Sequence, residues 1–341
     1  MRFSLLILFV ILAVSCSRSP KLEISTQEKD VEDYRRDSLQ RLVREISVNI
    51  RNNPTNDQLF SQRANCYFEL DMLDSAINDL EIASRLNPER IGYLLRRADM
   101  ELLRGGADMT RTLLLRILEK YPNHLEANLK LANLYMILDE LDNAETILGR
   151  ILKADKTIAE AYFMRSMVYQ MKSDYSKALD DLQKAVYYKP DYYDAQNMLG
   201  LVYSYKANDL AIDHYNNAIR LRPYDIEPRY NLGFYYQETN RPKQAIEQYQ
   251  QILNQIDSTA LDPLFNIGYI YQEQEKYSES IQYFSKATKY HPYEARVFYR
   301  LALSYEKLNQ RDSAIVNYRR TLDVDPDFEE AFNAIDRLTR K

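Results

Sequence analysis

The residues of this sequence that could do chemistry are few. His124, His214 and His291 stand far apart with none of the ligand spacings that hold a metal, and two of them sit beside Asn123 and Pro292, where surface turns are the plain reading. Adjacent carboxylates such as Asp180-Asp181 and Glu329-Glu330 have the pattern of a solvated helix face. No HExxH, GxSxG, GxxxxGKS/T or GxGxxG occurs, and the seven glycines leave little material for a phosphate loop. The expectation is a protein that is not an enzyme, with no catalytic residue, no metal and no cofactor. Nucleic acid is set aside too: 45 basic against 50 acidic residues give a net charge of −5, and no Lys/Arg block is long enough to track phosphates.

Cys16 is a different matter. It closes an N-terminal stretch in which Met1-Arg2 precedes an apolar run from Phe3 to Val14, the layout of a secretory signal and too short for a membrane span. Leu12-Ala13-Val14-Ser15-Cys16 resembles the lipobox of bacterial lipoproteins, with Ala13 where Leu is usual. The resemblance implies lipidation at Cys16 and a membrane anchor held by several acyl chains. Ser17 after the Cys, by analogy, implies the outer membrane, and the missing acidic cluster that exports Bacteroidetes lipoproteins implies the periplasmic leaflet. An ordinary cleaved signal or an uncleaved anchor is the alternative. Cys66 is then left alone, so it forms no intrachain disulfide, and its place in an apolar helical stripe suits a small core residue.

The elements that must carry any site follow a ruler set by proline. Pro54, Pro88, Pro122, Pro190, Pro223, Pro292 and Pro326 are spaced by 34, 34, 68, 33, 69 and 34 residues. Each stands where a helix has ended, because proline disfavours helical geometry in the residue before it. Between these stops a small residue, a Tyr three later, an Ala about nine after that and a large apolar residue four further on keep returning. The matches are Ala64, Tyr67, Ala76, Leu80; Ala132, Tyr135, Ala144, Leu148; Ser166, Tyr169, Ala178, Leu182; Gly200, Tyr203, Ala211, Tyr215; Gly233, Tyr236, Ala245, Tyr249; Gly268, Tyr271, Ser280, Phe284; and Ala302, Tyr305, Ala314, Tyr318. The small residues let two helices approach, and Tyr with the large residue fills the space between pairs. One pair of about 13-residue helices buries too little to stand alone, so the unit needs neighbours.

This pattern resembles the tetratricopeptide repeat (TPR). The resemblance implies an all-α fold, a right-handed TPR superhelix (α-solenoid) of about eight helix-turn-helix repeats with N-terminal and C-terminal capping helices. The expected organisation is a signal peptide over 1–15, lipidated Cys and flexible tether over 16–33, a capping helix over 34–56, and the solenoid over 57–328. Its units run 57–90, 91–124, 125–158, 159–192, 193–225, 226–259, 261–294 and 295–328, and a closing helix over 329–341 has Ala331, Phe332, Ile335 and Leu338 on one face. The second unit is degenerate: Glu101 replaces Tyr, Thr110 replaces Ala, and Gly105-Gly106 reads as a loosened turn. The fifth unit lacks one residue near Lys206 to Asp209.

By the same resemblance, positions two, five, nine, twelve and thirteen of each unit face the concave side. From the fourth unit on they include Phe163, Met167, Met171, Asn197, Leu201, Tyr205, Tyr230, Phe234, Phe265, Tyr269 and Tyr299, an apolar and aromatic lining suited to an extended peptide or a partner helix. Glu238, Glu273 and Glu306 on its rim favour basic residues in the partner. The alternative is that these side chains fill the core of a tight superhelix. The chaperone-tail clamp is absent, because Asn65 and Asn133 are preceded at position five by Ser61 and Leu129. The reading is thus a membrane-anchored periplasmic adaptor or scaffold whose groove binds a segment of an envelope protein. The alternatives are a self-associating structural element and an envelope hydrolase or carbohydrate-active protein; the latter would want Trp platforms, and Trp is absent.

Overall fold

The computed structural model describes residues 26–340, with side chains from 33 onward, so the expected signal peptide, Cys16 and residues 17–25 lie outside it. The described residues form eighteen helices and no strand. The first, α1 (Thr26–Asn52), covers residues 26–33, which were assigned above to the tether. No Gly or Pro interrupts this stretch, and Glu28 stands in the first turn and Arg51 in the last, the order that complements a helix dipole. Eight pairs follow: α2 (Asp57–Glu69) with α3 (Leu73–Leu86), α4 (Ile91–Leu103) with α5 (Ala107–Lys120), α6 (Leu125–Ile137) with α7 (Leu141–Ala154), and α8 (Ala159–Met171) with α9 (Tyr175–Tyr188). Then come α10 (Tyr193–Tyr205) with α11 (Leu210–Leu221), α12 (Ile226–Glu238) with α13 (Pro242–Gln255), α14 (Leu261–Glu273) with α15 (Tyr277–Tyr290), and α16 (Ala295–Lys307) with α17 (Arg311–Val324). The last helix is α18 (Glu329–Thr339). The chain divides into two compact units at Leu134/Tyr135, inside α6.

The eight turns inside the pairs share one geometry. Asp71, Gly105, Asp139, Ser173, Ala207, Asn240, Glu275 and Asn309 all have φ between 48° and 87°, the left-handed region. The next residue's N–H donates to the carbonyl five residues back, from Met72 to Tyr67 through Gln310 to Tyr305, over 2.7–3.0 Å, the hydrogen bond of a Schellman helix end. Gly105 therefore does not loosen its turn; it is the one residue of the eight for which that backbone carries no Cβ penalty. Ala207→Gly is expected to raise stability by roughly 0.5–1 kcal/mol and Gly105→Ala to lower it by a similar amount, read as shifts of the urea midpoint.

Within a pair, size is conserved across the contact. Ala64 and Leu80 are both fully buried in one core cluster of the N-terminal unit. In the C-terminal unit, Gly200, Gly233 and Gly268 instead face the rings of Tyr215, Tyr249 and Phe284, so closely that a Cβ would lie 2.5–2.8 Å from a ring carbon. The last pair, with Ala302 and Tyr318 both buried, holds a methyl beside a ring. The degenerate second unit also closes as a helix pair. Glu101, 1% exposed, is held between Arg97 and Arg104, and the Thr110 hydroxyl donates to the carbonyls of Ala98 (3.2 Å) and Gly106 (3.0 Å).

Charges enter the core where the sequence suggested a solvated face. Asp181 is 1% exposed and takes two hydrogen bonds from Arg165, Nε at 2.6 Å and Nη2 at 2.9 Å, while the guanidinium lies between the rings of Tyr162 and Tyr169. The same four-residue arrangement holds Arg63 and Asp79 at 2.7 and 2.8 Å, between Phe60 and Tyr67. A cation of one pair also reaches an acid of the pair before it: Arg104 to Asp74 (3.1 Å), Lys130 to Asp99 (2.6 Å), Lys172 to Asp142 (2.6 Å), Arg241 to Asp209 (2.5 Å) and Arg296 to Asp262 (3.0 Å). On α18, Ala331 and Ala334 are buried and Ile335 and Leu338 half-buried, but Phe332 is exposed and is not part of the packed face: Ala334, not Phe332, completes the stripe.

Candidate functional site

All eleven residues expected to line the groove belong to the C-terminal unit and sit on first helices. First helices of successive pairs meet each other there, α10 against α12 and α14 against α16. The expected lining residues mark the face on which they meet. Asn197 Nδ2 donates to Glu227 Oε1 (2.9 Å), joining α10 to α12, and Asn266 Nδ2 reaches the Tyr230 hydroxyl (3.4 Å), joining α14 to α12.

The lining is not uniformly open. Phe163 is half-buried, its ring 5.1 Å from that of Tyr192. Tyr230 leans on Tyr249 (5.8 Å), Phe265 on Phe284 (5.7 Å), and Tyr299 on Tyr318 (5.7 Å) and Phe328 (5.0 Å). These rings divide their surface between the core and the face. Burial pushes the Tyr230 phenol above its ordinary value, and it pushes the enclosed Tyr249 phenol far above, so both stay neutral hydrogen-bonding groups. Met167 and Leu201 are half-buried as well. Three of the expected residues remain open: Met171 is 37%, Phe234 45% and Tyr205 79% exposed.

Two residues that the sequence reading missed change the far end of the face. The Arg296 guanidinium lies 4.8 Å over the Phe265 ring, and Arg300 lies 4.8 Å over Tyr269. Cation–π stacking covers both rings, so the apolar row ends in two arginines rather than in bare aromatics. Arg296 is paired with Asp262, whereas Arg300 donates to the Gln272 amide oxygen at 3.2 Å and makes no ion pair among the described residues. A reading confined to apolar types skipped them, although the Arg300 position follows the expected lining residue Tyr299 directly.

The open part is therefore a strip on α8, α10 and α12 bearing Met171, Tyr205 and Phe234. Beyond it lie Glu238 and Glu273 at the C-terminal ends of α12 and α14, exposed, with no ion pair among the described residues. Glu306 is engaged, accepting from the Tyr318 hydroxyl (2.8 Å) and pairing with Arg337 (2.6 Å). None of the histidines lies on this strip. His214 Nδ1 is 2.7 Å from Gln196 Oε1, with the ring stacked on Tyr203, and burial holds its pKa below the usual value. His291 Nε2 contacts the Thr259 carbonyl (2.6 Å), and His124 Nδ1 accepts from the N–H of Ala127 (3.2 Å). Such an arrangement offers shape, apolar area and hydrogen bonds to a polypeptide.

Comparison with known proteins agrees with this geometry. The family description "Tetratricopeptide repeat" matches residues 159–192, 261–293 and 295–328. A human protein, neutrophil cytosol factor 2, is 29% identical over 115 residues, 34% of this chain and 19% of that protein. Anaphase-promoting complex subunit 3 of Schizosaccharomyces pombe is 26% identical over 133 residues, 39% of this chain and 20% of that protein. The chain thus spans about a fifth of the length of these relatives. Among solved structures, the C-terminal part of a TPR repeat-containing protein from Cytophaga hutchinsonii superposes with a TM-score of 0.60 at 18% identity, covering 71% of this chain and 99% of that one. The recurring signature, the eight helix pairs with one turn geometry and these matches lead to one conclusion: the chain carries tetratricopeptide repeats, matched over 159–192, 261–293 and 295–328, within an all-α array of helix pairs.

Proposed function

We propose that this protein is a membrane-anchored adaptor of the bacterial envelope, lipidated at Cys16 on the periplasmic face of the outer membrane, that binds a segment of a protein partner along its first helices. The observation that carries the binding reading is the open strip of Met171, Tyr205 and Phe234 beside the unpaired carboxylates of Glu238 and Glu273. Methionine repacks around varied shapes, and Tyr and Phe supply area at low entropy cost, so an extended segment or helix with apolar anchors fits. Carboxylates without cations favour basic residues beyond those anchors. The anchor rests on the lipobox resemblance of the sequence, outside the described residues.

The test is site-specific photo-cross-linking in the native cell. A cross-linker at Tyr205 or Phe234 is expected to trap the same protein, and one at Tyr187, 76% exposed on the second helix α9, is expected not to. Tyr205→Ala with Phe234→Ala should weaken the purified trapped partner by about 100-fold with unchanged helical circular dichroism. Equal trapping at Tyr187 would overturn the groove reading, and trapping of the chain by itself would replace it with self-association. Cys16→Ser should move the protein from the membrane pellet to the soluble fraction; continued pelleting would refute the lipid anchor.

A further inference from the structure

A second surface lies away from that strip, where the end of α15, the loop into α16 and α17 come together. They enclose an open cleft of about 440 Å³ whose walls include Pro292, Phe298 and Val324, with Tyr293, Lys289 and Arg320 also on its lining. Tyr293 is 86% exposed, so most of its ring faces solvent at the mouth of the cleft. Lys289 makes no ion pair among the described residues, and Arg320 meets only Asp323, at 3.5 Å with both side chains largely in solvent. Lys286, one turn before Lys289, and Arg319, beside Arg320, are exposed and likewise without an ion pair. Of the two cations on the lining, Lys289 thus has no acid among the described residues and Arg320 one loosely held acid, in a chain whose net charge is −5.

The cleft is particular to this place in the array. The loop before α12 repeats the Pro-Tyr step as Pro223-Tyr224, with Tyr224 78% exposed. There, however, Arg229 stands in the register of Phe298 and donates to Gln251, which stands in the register of Arg320. That pairing replaces both the apolar wall and the cation. Before α16, unlike before α12, an exposed Tyr and an apolar wall stand beside Lys289, which has no ion pair among the described residues, and Arg320, which is only loosely paired.

We infer that this cleft binds an acidic segment of a protein partner, with an aromatic or aliphatic side chain within two residues of a carboxylate. The apolar side chain lies against Phe298, Pro292 and Val324 beneath the Tyr293 ring, and the carboxylates meet Lys289 and Arg320. Burying an apolar anchor while neutralising clustered like charges favours this occupant over a neutral or basic one. The inference is independent of the strip on α8, α10 and α12.

Fluorescence anisotropy of a labelled octapeptide containing Asp-Glu-Phe-Glu, titrated with the full chain at low salt, tests it. Wild type is expected to bind, and Lys289→Glu with Arg320→Glu to bind at least about tenfold more weakly. Tyr293→Ala should also weaken binding, as should replacing the peptide's acids by their amides. These residues are surface-exposed or line an open cleft, and circular dichroism checks that the variants stay folded. Phe234→Ala should leave this binding unchanged, which separates the cleft from the strip. No binding by wild type, or equal binding by the doubly reversed variant, overturns the inference. So does co-sedimentation with phosphatidylglycerol vesicles that the reversal abolishes while the peptide stays unbound, since the cations would then serve anionic lipid.

Discussion

Gly200→Ala lowers stability by about 2 kcal/mol, whereas Gly92→Ala is neutral or stabilising. Both glycines lie within first helices, α10 and α4, where Ala is the better helix former by up to ~1 kcal/mol. What differs is the space. A Cβ on Gly200 would fall 2.5 Å from Cδ1 and 2.6 Å from Cε1 of Tyr215, whereas nothing lies within 4 Å of one on Gly92. The Tyr215 ring is 1% exposed and cannot swing into solvent, so α10 and α11 must separate. Overpacking of this kind costs roughly 1–3 kcal/mol. The last pair, with Ala302 against Tyr318, shows that helices can be set far enough apart for a methyl and a ring, so the variant loses stability rather than fold. Adding Tyr215→Leu should recover most of the loss by recreating the Ala-with-Leu arrangement of Ala64 and Leu80. Urea unfolding followed by far-UV circular dichroism reads all three changes, and identical midpoints for Gly200→Ala and Gly92→Ala would refute the close approach.

Asp181→Leu costs about 3–5 kcal/mol, and Arg165→Leu added to it costs less than Asp181→Leu alone. The carboxylate holds both arms of the Arg165 guanidinium, which is enclosed by two Tyr rings; removing the acid strands a half-buried cation without its partner. Removing both charges removes that penalty. Other pairs show that the frame accepts apolar residues in these registers, as with Ile267 and Tyr283 in the seventh. A double-mutant cycle on thermal midpoints measures the coupling, and strict additivity of the two substitutions would show that the pair does not act as a unit.

What the sequence displayed of this fold was local size and spacing. Ala64 with Leu80, and Gly233 with Tyr249, are legible because each contact is made within one pair by residues 16 apart, and residue volume alone announces it. The turns are legible in place but not in shape: Asp, Gly, Ser, Ala, Asn and Glu all adopt the same left-handed backbone, because the hydrogen bond to the first helix sets it. Asp181 was misread because it stands beside the exposed Asp180, and two adjacent carboxylates on a helix resemble a solvated face. Its partner lies 16 residues earlier, and the equal spacing of Arg63 and Asp79 was the available signal. The candidate face was only partly legible, since the cover on Phe265 and Tyr269 comes from arginines 31 residues further on, in the next pair.

The cations that reach back one pair have a consequence for cooperativity. Arg104–Asp74, Lys172–Asp142, Arg241–Asp209 and Arg296–Asp262 each join neighbours and none lies inside a pair. In a linear array, stability divides into a term intrinsic to each repeat and a term for each interface, and only the second makes the array melt as one. Exposed ion pairs of this kind contribute about 0–1 kcal/mol each and weaken with ionic strength. Salt therefore acts on the joints while leaving the Gly–ring and Ala–Leu contacts untouched: within each compact unit it shortens the stretch of chain that opens together.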